Sequence, residues 1–100
     1  MPDVSAIEQL KLQYWNQYQQ YENYVANVNN LREQLIQLRT GITQSRNCLS
    51  SGLIIEDDNS YQVVYDEIIN QINDVLNKTS LARDYFISLK NSYYAQWSST

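Results

Sequence analysis

Residues 21–38 read YENYVANVNNLREQLIQL, and the spacing of the apolar residues in this stretch decides the fold. When the chain is counted in sevens from Ile7, the first (a) and fourth (d) positions up to Leu49 are apolar or aromatic at eleven of thirteen places. Side chains at this spacing line one face of an α-helix, and such a face needs an apolar partner. The pattern predicts a first helix over about residues 4–47.

A second heptad pattern begins near residue 60. Its a column holds Tyr65, Ile72, Thr79, Phe86 and Tyr93, and its d column holds Tyr61, Ile68, Val75, Ala82, Leu89 and Gln96. This predicts a second helix over about residues 60–97 and a connection over about residues 48–60. Within the connection, residues 53–55 (Leu-Ile-Ile) are expected to cover the end of the core. Gly41 is expected inside the first helix, although a glycine there is also compatible with an earlier helix end.

The two helices are expected to form one antiparallel hairpin, because a short connection folds the second helix back along the first. The register that places Ile42 beside Tyr65 also pairs Tyr21 with Phe86 and Tyr14 with Tyr93. The predicted fold class is therefore all-α: a long antiparallel helical hairpin, or two-helix coiled coil, that forms a single domain over residues 1–100.

The composition argues against catalysis. The chain has no histidine, one cysteine and two isolated glycines. It therefore lacks the residues of a metal cluster, a catalytic triad or a glycine-rich phosphate loop. We predict that the protein is not an enzyme and that it uses no cofactor, no metal and no small-molecule substrate.

Charge and hydropathy narrow the class of partner further. A net charge of -4 with seven basic residues is poorly suited to nucleic acid, because phosphate neutralisation dominates that affinity. No apolar run approaches the ~20 residues that cross a bilayer, so no membrane span is expected. The first residues also lack the basic start and apolar core of a signal peptide. We expect a cytoplasmic protein, or one that is exported without a cleaved signal peptide.

The apolar surface exceeds what one hairpin can bury, since many aromatic and aliphatic residues lie outside the a and d columns. A monomer would leave this surface in water, so we predict that a helical protein partner or a second copy completes a four-helix bundle. Tyrosine and tryptophan are favoured at interfaces. The predicted partner-binding residues are Tyr14, Trp15, Tyr18, Tyr21, Tyr85, Tyr94 and Trp97. The alternative is that these rings widen the core within the hairpin.

Six of the seven basic residues fall in the fifth (e) heptad position, beside the predicted seam: Lys11, Arg32, Arg39, Arg46, Arg83 and Lys90. One interpretation is a solvated flank whose aliphatic stems cover the apolar stripe. The other is a charged edge that matches an acidic face on the partner and sets its orientation.

Three segments in order suggest a family. Residues 24–35 (YVANVNNLREQL) belong to a long helix rich in Gln, Asn and Leu, residues 49–54 (LSSGLI) to a serine- and glycine-containing connection, and residues 68–72 (IINQI) to the second helix. This order resembles the small helical proteins of type VII secretion, the WxG-type superfamily of Gram-positive bacteria. Within that superfamily it is most similar to the small partner proteins encoded beside LXG-domain toxins.

The resemblance implies a targeting or chaperone-like subunit that binds the helical N-terminal domain of a larger toxin. The WxG turn itself is absent, because Trp15 and Trp97 lie far from the connection. The C-terminal Tyr-x-x-x-Asp/Glu export signal is also absent, which favours an effector partner over an independently exported protein. Two other functions fit the pattern: a self-associating coiled-coil scaffold, as in phage or viral assembly, and a cytoplasmic adaptor or chaperone for an unrelated protein.

Overall fold

The structure, a computed structural model, describes residues 4–52 and 60–100, and gives only the backbone of residues 50–52. Helix α1 spans Val4–Gly52 and helix α2 spans Ser60–Ser99. Contacts that join early residues of α1 to late residues of α2, such as Tyr14 to Tyr93, show that the helices are antiparallel. The all-α hairpin predicted from the heptads is confirmed.

Both helices are longer than the heptad count predicted. Helix α1 continues to Gly52 rather than ending near residue 47, so the serines and glycine assigned to the connection lie in its last turn. Helix α2 begins at Ser60, as expected, and ends at Ser99. The predicted apolar cover at residues 53–55 lies outside the described residues.

Helix α1 runs through Gly41 without a break, as expected. Gly41 has no positive φ, and a Cβ atom built on it would meet nothing within 4 Å. Nothing in its surroundings therefore requires a glycine. Because glycine loses more backbone entropy on folding than other residues, its effect here is only to lower the stability of the helix.

The chain divides into two compact units, and each contains a part of both helices. We call residues 1–29 with 80–100 the terminal unit, and residues 30–79 the central unit. In the terminal unit the predicted register is confirmed. The ring centroids of Tyr14 and Tyr93 are 6.5 Å apart, and those of Tyr21 and Phe86 are 6.1 Å apart.

The core of the described residues is small. Ile72 and Leu76, both on the α2 segment of the central unit, are the only buried hydrophobic residues in the described part of the chain. Most other residues of the seam are half-buried, because two helices can cover only one stripe of each other. Over the described residues, the helices thus meet along a half-buried seam in which only Ile72 and Leu76 are buried.

The heptad columns that form the seam differ from the predicted a and d columns. In the central unit the d residues Leu31 and Leu38 are 45% and 53% exposed, and Ile68 and Val75 are 37% and 41% exposed. The e residues Arg32, Arg39 and Arg46 are half-buried instead. The helices of this unit therefore meet along their a and e columns, and the expectation that the a and d columns form the seam is wrong there.

Replacing Gly41 with alanine should stabilise the hairpin. Helical φ and open space at the Cβ position mean that the methyl group fits without strain, while the unfolded chain loses conformational freedom. We expect the free energy of unfolding to rise by about 0.5–1 kcal/mol, measured by urea denaturation followed by circular dichroism at one fixed protein concentration. An unchanged or lowered midpoint would show that the helix is not continuous at this position.

Candidate interaction surface

Three arginines, spaced seven residues apart on α1, bind α2 across the seam of the central unit. Arg32 donates through Nη1 to the backbone carbonyl of Leu76 and to Thr79 Oγ1, the latter at 3.0 Å. Arg39 Nη1 donates to Asn73 Oδ1 at 2.7 Å. Arg46 forms an ion pair with Asp66. We call this set the arginine ladder.

The arginine ladder explains why the e column can occupy the seam. An arginine has an aliphatic stem that can lie along apolar neighbours and a planar head with five donors. Each head here has an acceptor on α2, so half-burial does not leave its charge without hydrogen bonds. Thr79 contributes twice, because its hydroxyl accepts from Arg32 and donates to the Leu76 carbonyl at 3.0 Å.

The arginine ladder marks one side of the central unit, and the exposed d residues lie on the other. On an α-helix the e position lies about 40° from a, whereas d lies about 60° from a in the opposite direction. Equivalent positions of two antiparallel helices share a side, so Leu31 and Leu38 lie on the same side as Ile68 and Val75. We call these four residues the leucine face.

A contact between the helices supports this division. Ser45, a d residue of α1, lies within 3.0 Å of the Tyr65 hydroxyl on α2. The e residues Arg39 and Arg46 pair instead with Asn73 and Asp66. The d column and the e column of α1 therefore contact different columns of α2.

The leucine face is almost free of charge. Gln34 and Gln71, which flank it in the seventh (g) heptad position, are neutral and exposed. Val64, also in a flanking position, is 54% exposed. Among the described residues in the g position of the central unit, the charged one is Lys78, whose Nζ lies 2.9 Å from Asp74 Oδ2 one turn earlier on the same helix. The surface is therefore apolar at its centre, and Lys78 is the single charged residue among the g positions described along its edges.

Aromatic side chains line the seam of the terminal unit. Trp15 and Trp97 lie 4.9 Å apart between ring centroids, and Tyr18 and Tyr94 lie 5.4 Å apart. Tyr21 stacks on Tyr93 at 5.7 Å with nearly parallel planes. Ring pairs at these distances are favourable beyond the area they bury. They join the two helices where the central unit uses arginines.

The predicted partner-binding residues divide into two groups. Tyr14, Trp15, Tyr18, Tyr21 and Trp97 are half-buried in the seam and contact rings of the other helix. Tyr85 and Tyr94 are 63% and 47% exposed. The first group fits the alternative that these rings widen the core of the hairpin. A contribution of any of the seven residues to partner binding stays a prediction.

An open cleft of about 320 Å³ lies in the terminal unit, lined by Glu8, Lys11, Leu12, Trp15 and Trp97. Lys11 Nζ sits 5.0 Å from the centre of the Trp97 ring, a distance at which a cation is attracted to the ring face. Lys11, like the arginines of the ladder, therefore makes a contact within the hairpin.

Tyr18 has a perturbed hydroxyl. Desolvation by its neighbours, followed by the negative charge of Glu22 and a hydrogen bond to that carboxylate, raises the pKa of the Tyr18 phenol above its ordinary value. The phenol therefore stays protonated at neutral pH and can donate to Glu22. This arrangement orients the ring and carries no sign of a proton-transfer role.

Within the described ranges, no cluster of three or more His, Cys, Asp or Glu side chains is placed to hold a metal ion. Neither helix, over the residues described, is both long enough and apolar enough to cross a membrane.

The leucine face was missed because the heptad count assigned its residues to the seam. The basic e residues were interpreted as a solvated flank whose stems cover the apolar stripe or as a charged edge for a partner. All six are half-buried, and three of them bind α2. A usable signal was present on α2, where Asp66, Asn73 and Ser80 repeat every seven residues. Two polar columns of matching spacing can pair across a hairpin.

The chain matches no protein-family model, and comparisons with curated proteins and with solved structures also find no match.

A double-mutant cycle tests the arginine ladder. Arg39→Ala and Asn73→Ala should each destabilise the hairpin, and the double variant should lose less than the sum of the two. We expect a coupling free energy of about 0.5–1.5 kcal/mol, the usual range for a hydrogen bond that is part-buried. Urea denaturation of the four proteins measures it.

The matched control is a second cycle in which Gln37 takes the place of Arg39. Gln37 lies on the outer face of the same helix turn. Gln37→Ala combined with Asn73→Ala should give additive effects, because the two side chains share no contact. Zero coupling in the Arg39 cycle would place that arginine outside the seam.

Proposed function

We propose that the chain is a non-catalytic binding subunit that packs against the helical domain of a larger effector, of the kind represented by LXG-domain toxins. The leucine face is the observation that carries this proposal. Leu31, Leu38, Ile68 and Val75 are 37–53% exposed on one side of the central unit. An apolar surface shared by two helices is typical of a bundle from which a layer has been removed.

The energetics support a requirement for another layer. Ordering each residue of a chain costs roughly 1–2 kcal/mol of backbone entropy, which apolar burial must offset. Ile72 and Leu76, the buried apolar residues in the described part of the hairpin, provide little of that burial. A second layer on the leucine face would take four more large apolar side chains out of water at roughly 25 cal/mol per Å². The hairpin therefore gains stability from association.

The nature of the effector is supported by the resemblance in residues 24–35, 49–54 and 68–72. It implies a small helical subunit that binds the N-terminal helices of an LXG toxin and presents it for secretion or keeps it in solution. Exposed aromatic residues add further surface, since Tyr85 and Tyr94 combine large apolar area with a polar tip.

Co-purification tests the proposal. The untagged chain is expressed together with the tagged N-terminal helical domain of an LXG-domain toxin, and the mass of the product is measured by light scattering after gel filtration. We expect a stable complex containing both chains, and a higher melting temperature than for either chain alone, because binding to the folded form stabilises it.

Recovery of the toxin domain without the chain would contradict the proposal. A homo-oligomer that forms at micromolar concentration and ignores the toxin domain would instead support the scaffold alternative. A matched control is the same co-expression with an unrelated two-helix coiled coil, which should not be retained.

A further inference from the structure

We propose that the leucine face is the docking surface, that its occupant is a two-helix layer of the effector with an apolar stripe and uncharged edges, and that this docking uses no ion pairs. The inference rests on the proposed function and adds to it the face and the chemistry of the partner. It also rejects the interpretation that the basic e column recognises an acidic partner.

The width of the leucine face requires a layer of two helices. Leu31 and Leu38 lie on α1 and Ile68 and Val75 lie on α2, all on the same side of the central unit. One helix laid along the groove between α1 and α2 would cover the inner edge of each pair. Two helices placed side by side would cover both pairs fully, as in a four-helix bundle with short connections.

The charges on this face indicate what the edges of the partner are made of. Gln34 and Gln71 can donate and accept hydrogen bonds but carry no charge. Lys78 is already matched by Asp74 within its own helix. A partner with acidic or basic edges would lose hydration of those charges and gain no opposite charge in return. Asn, Gln, Ser and Thr edges fit this face without that cost.

The three arginines of the central unit, which could have attracted an acidic partner, are engaged inside the hairpin. Arg32 binds the Leu76 carbonyl and Thr79, Arg39 binds Asn73, and Arg46 pairs with Asp66. These contacts lie on the side of the central unit opposite the leucine face. An acidic partner would have to break these contacts, and from the arginine side it would leave the leucine face uncovered.

The absence of interfacial ion pairs has a direct experimental consequence. Attraction between opposite charges weakens as salt screens it, with a Debye length of about 10 Å at 0.1 M and about 3 Å at 1 M. Apolar burial is not weakened in this way. The dissociation constant of the complex should therefore stay nearly constant over this range of ionic strength.

The test uses the full chain and the N-terminal helical domain of an LXG-domain toxin, with affinity measured by isothermal titration calorimetry at 50 and 500 mM NaCl. We expect the dissociation constant to change less than about threefold between the two salt concentrations. We also expect a negative heat-capacity change, the mark of apolar burial.

Leu38→Gln should weaken binding about tenfold or more, because a leucine that becomes buried in the complex is replaced by an amide that must be desolvated. Ile36→Gln is the matched control: Ile36 lies two residues away on the same helix, is 41% exposed and faces the opposite side. It should change affinity less than about threefold. Val75→Gln on α2 should reproduce the effect of Leu38→Gln, and circular dichroism checks that each variant is helical.

The outcomes separate the inference from the function on which it rests. Failure of the wild-type chain to bind the toxin domain would overturn the proposed function. Binding that weakens tenfold or more in high salt, or that loses as much affinity with Ile36→Gln as with Leu38→Gln, would overturn only the assignment of the face and its chemistry. A self-dimer that depends on Leu38 and excludes the toxin domain would overturn the choice of occupant.

Discussion

The arginine ladder is the interaction on which the remaining features of the central unit depend. Arg32, Arg39 and Arg46 repeat with the heptad, and each has an acceptor on α2. Because these long side chains satisfy their donors across the seam, the e column turns toward the other helix. The d column must then turn away, since both cannot face one neighbour. Half-buried cations within the hairpin and exposed leucines on its surface are thus two consequences of one packing choice.

The two sides of the central unit therefore differ in their contacts. The arginine side holds α1 and α2 in register through polar contacts, which are directional and specific. The leucine side contributes little to register and presents apolar area with neutral edges. The central unit thus joins its helices through arginine contacts as well as through buried Ile72 and Leu76, and it leaves the d residues exposed. The aromatic seam of the terminal unit, with Trp15 on Trp97, joins the helices by ring packing instead.

Heptad periodicity was sufficient to predict two helices, their antiparallel order and the pairing of Tyr14 with Tyr93. It could not choose between the a/d and the a/e seam, because the apolar pattern is wide enough to fit either. Hydrophobicity counts favour Leu38 over Arg39 at the seam, and they ignore the acceptors on α2 that make Arg39 the better fit. The end of α1 was also misjudged, since Ser50, Ser51 and Gly52 are common in turns but lie here in the last helical turn.

Solvent exposure of individual methyl groups tests this packing most directly. In the isolated chain, a dissolved gadolinium chelate speeds the nuclear magnetic relaxation of each leucine and isoleucine methyl group that it can approach. We predict that the methyl groups of Leu31 and Leu38 relax much faster than those of Leu35 and Ile72, at concentrations where the chain is unassociated. Equal protection of Leu38 and Leu35, together with a freely solvated Arg39 head, would contradict it and restore the a/d seam.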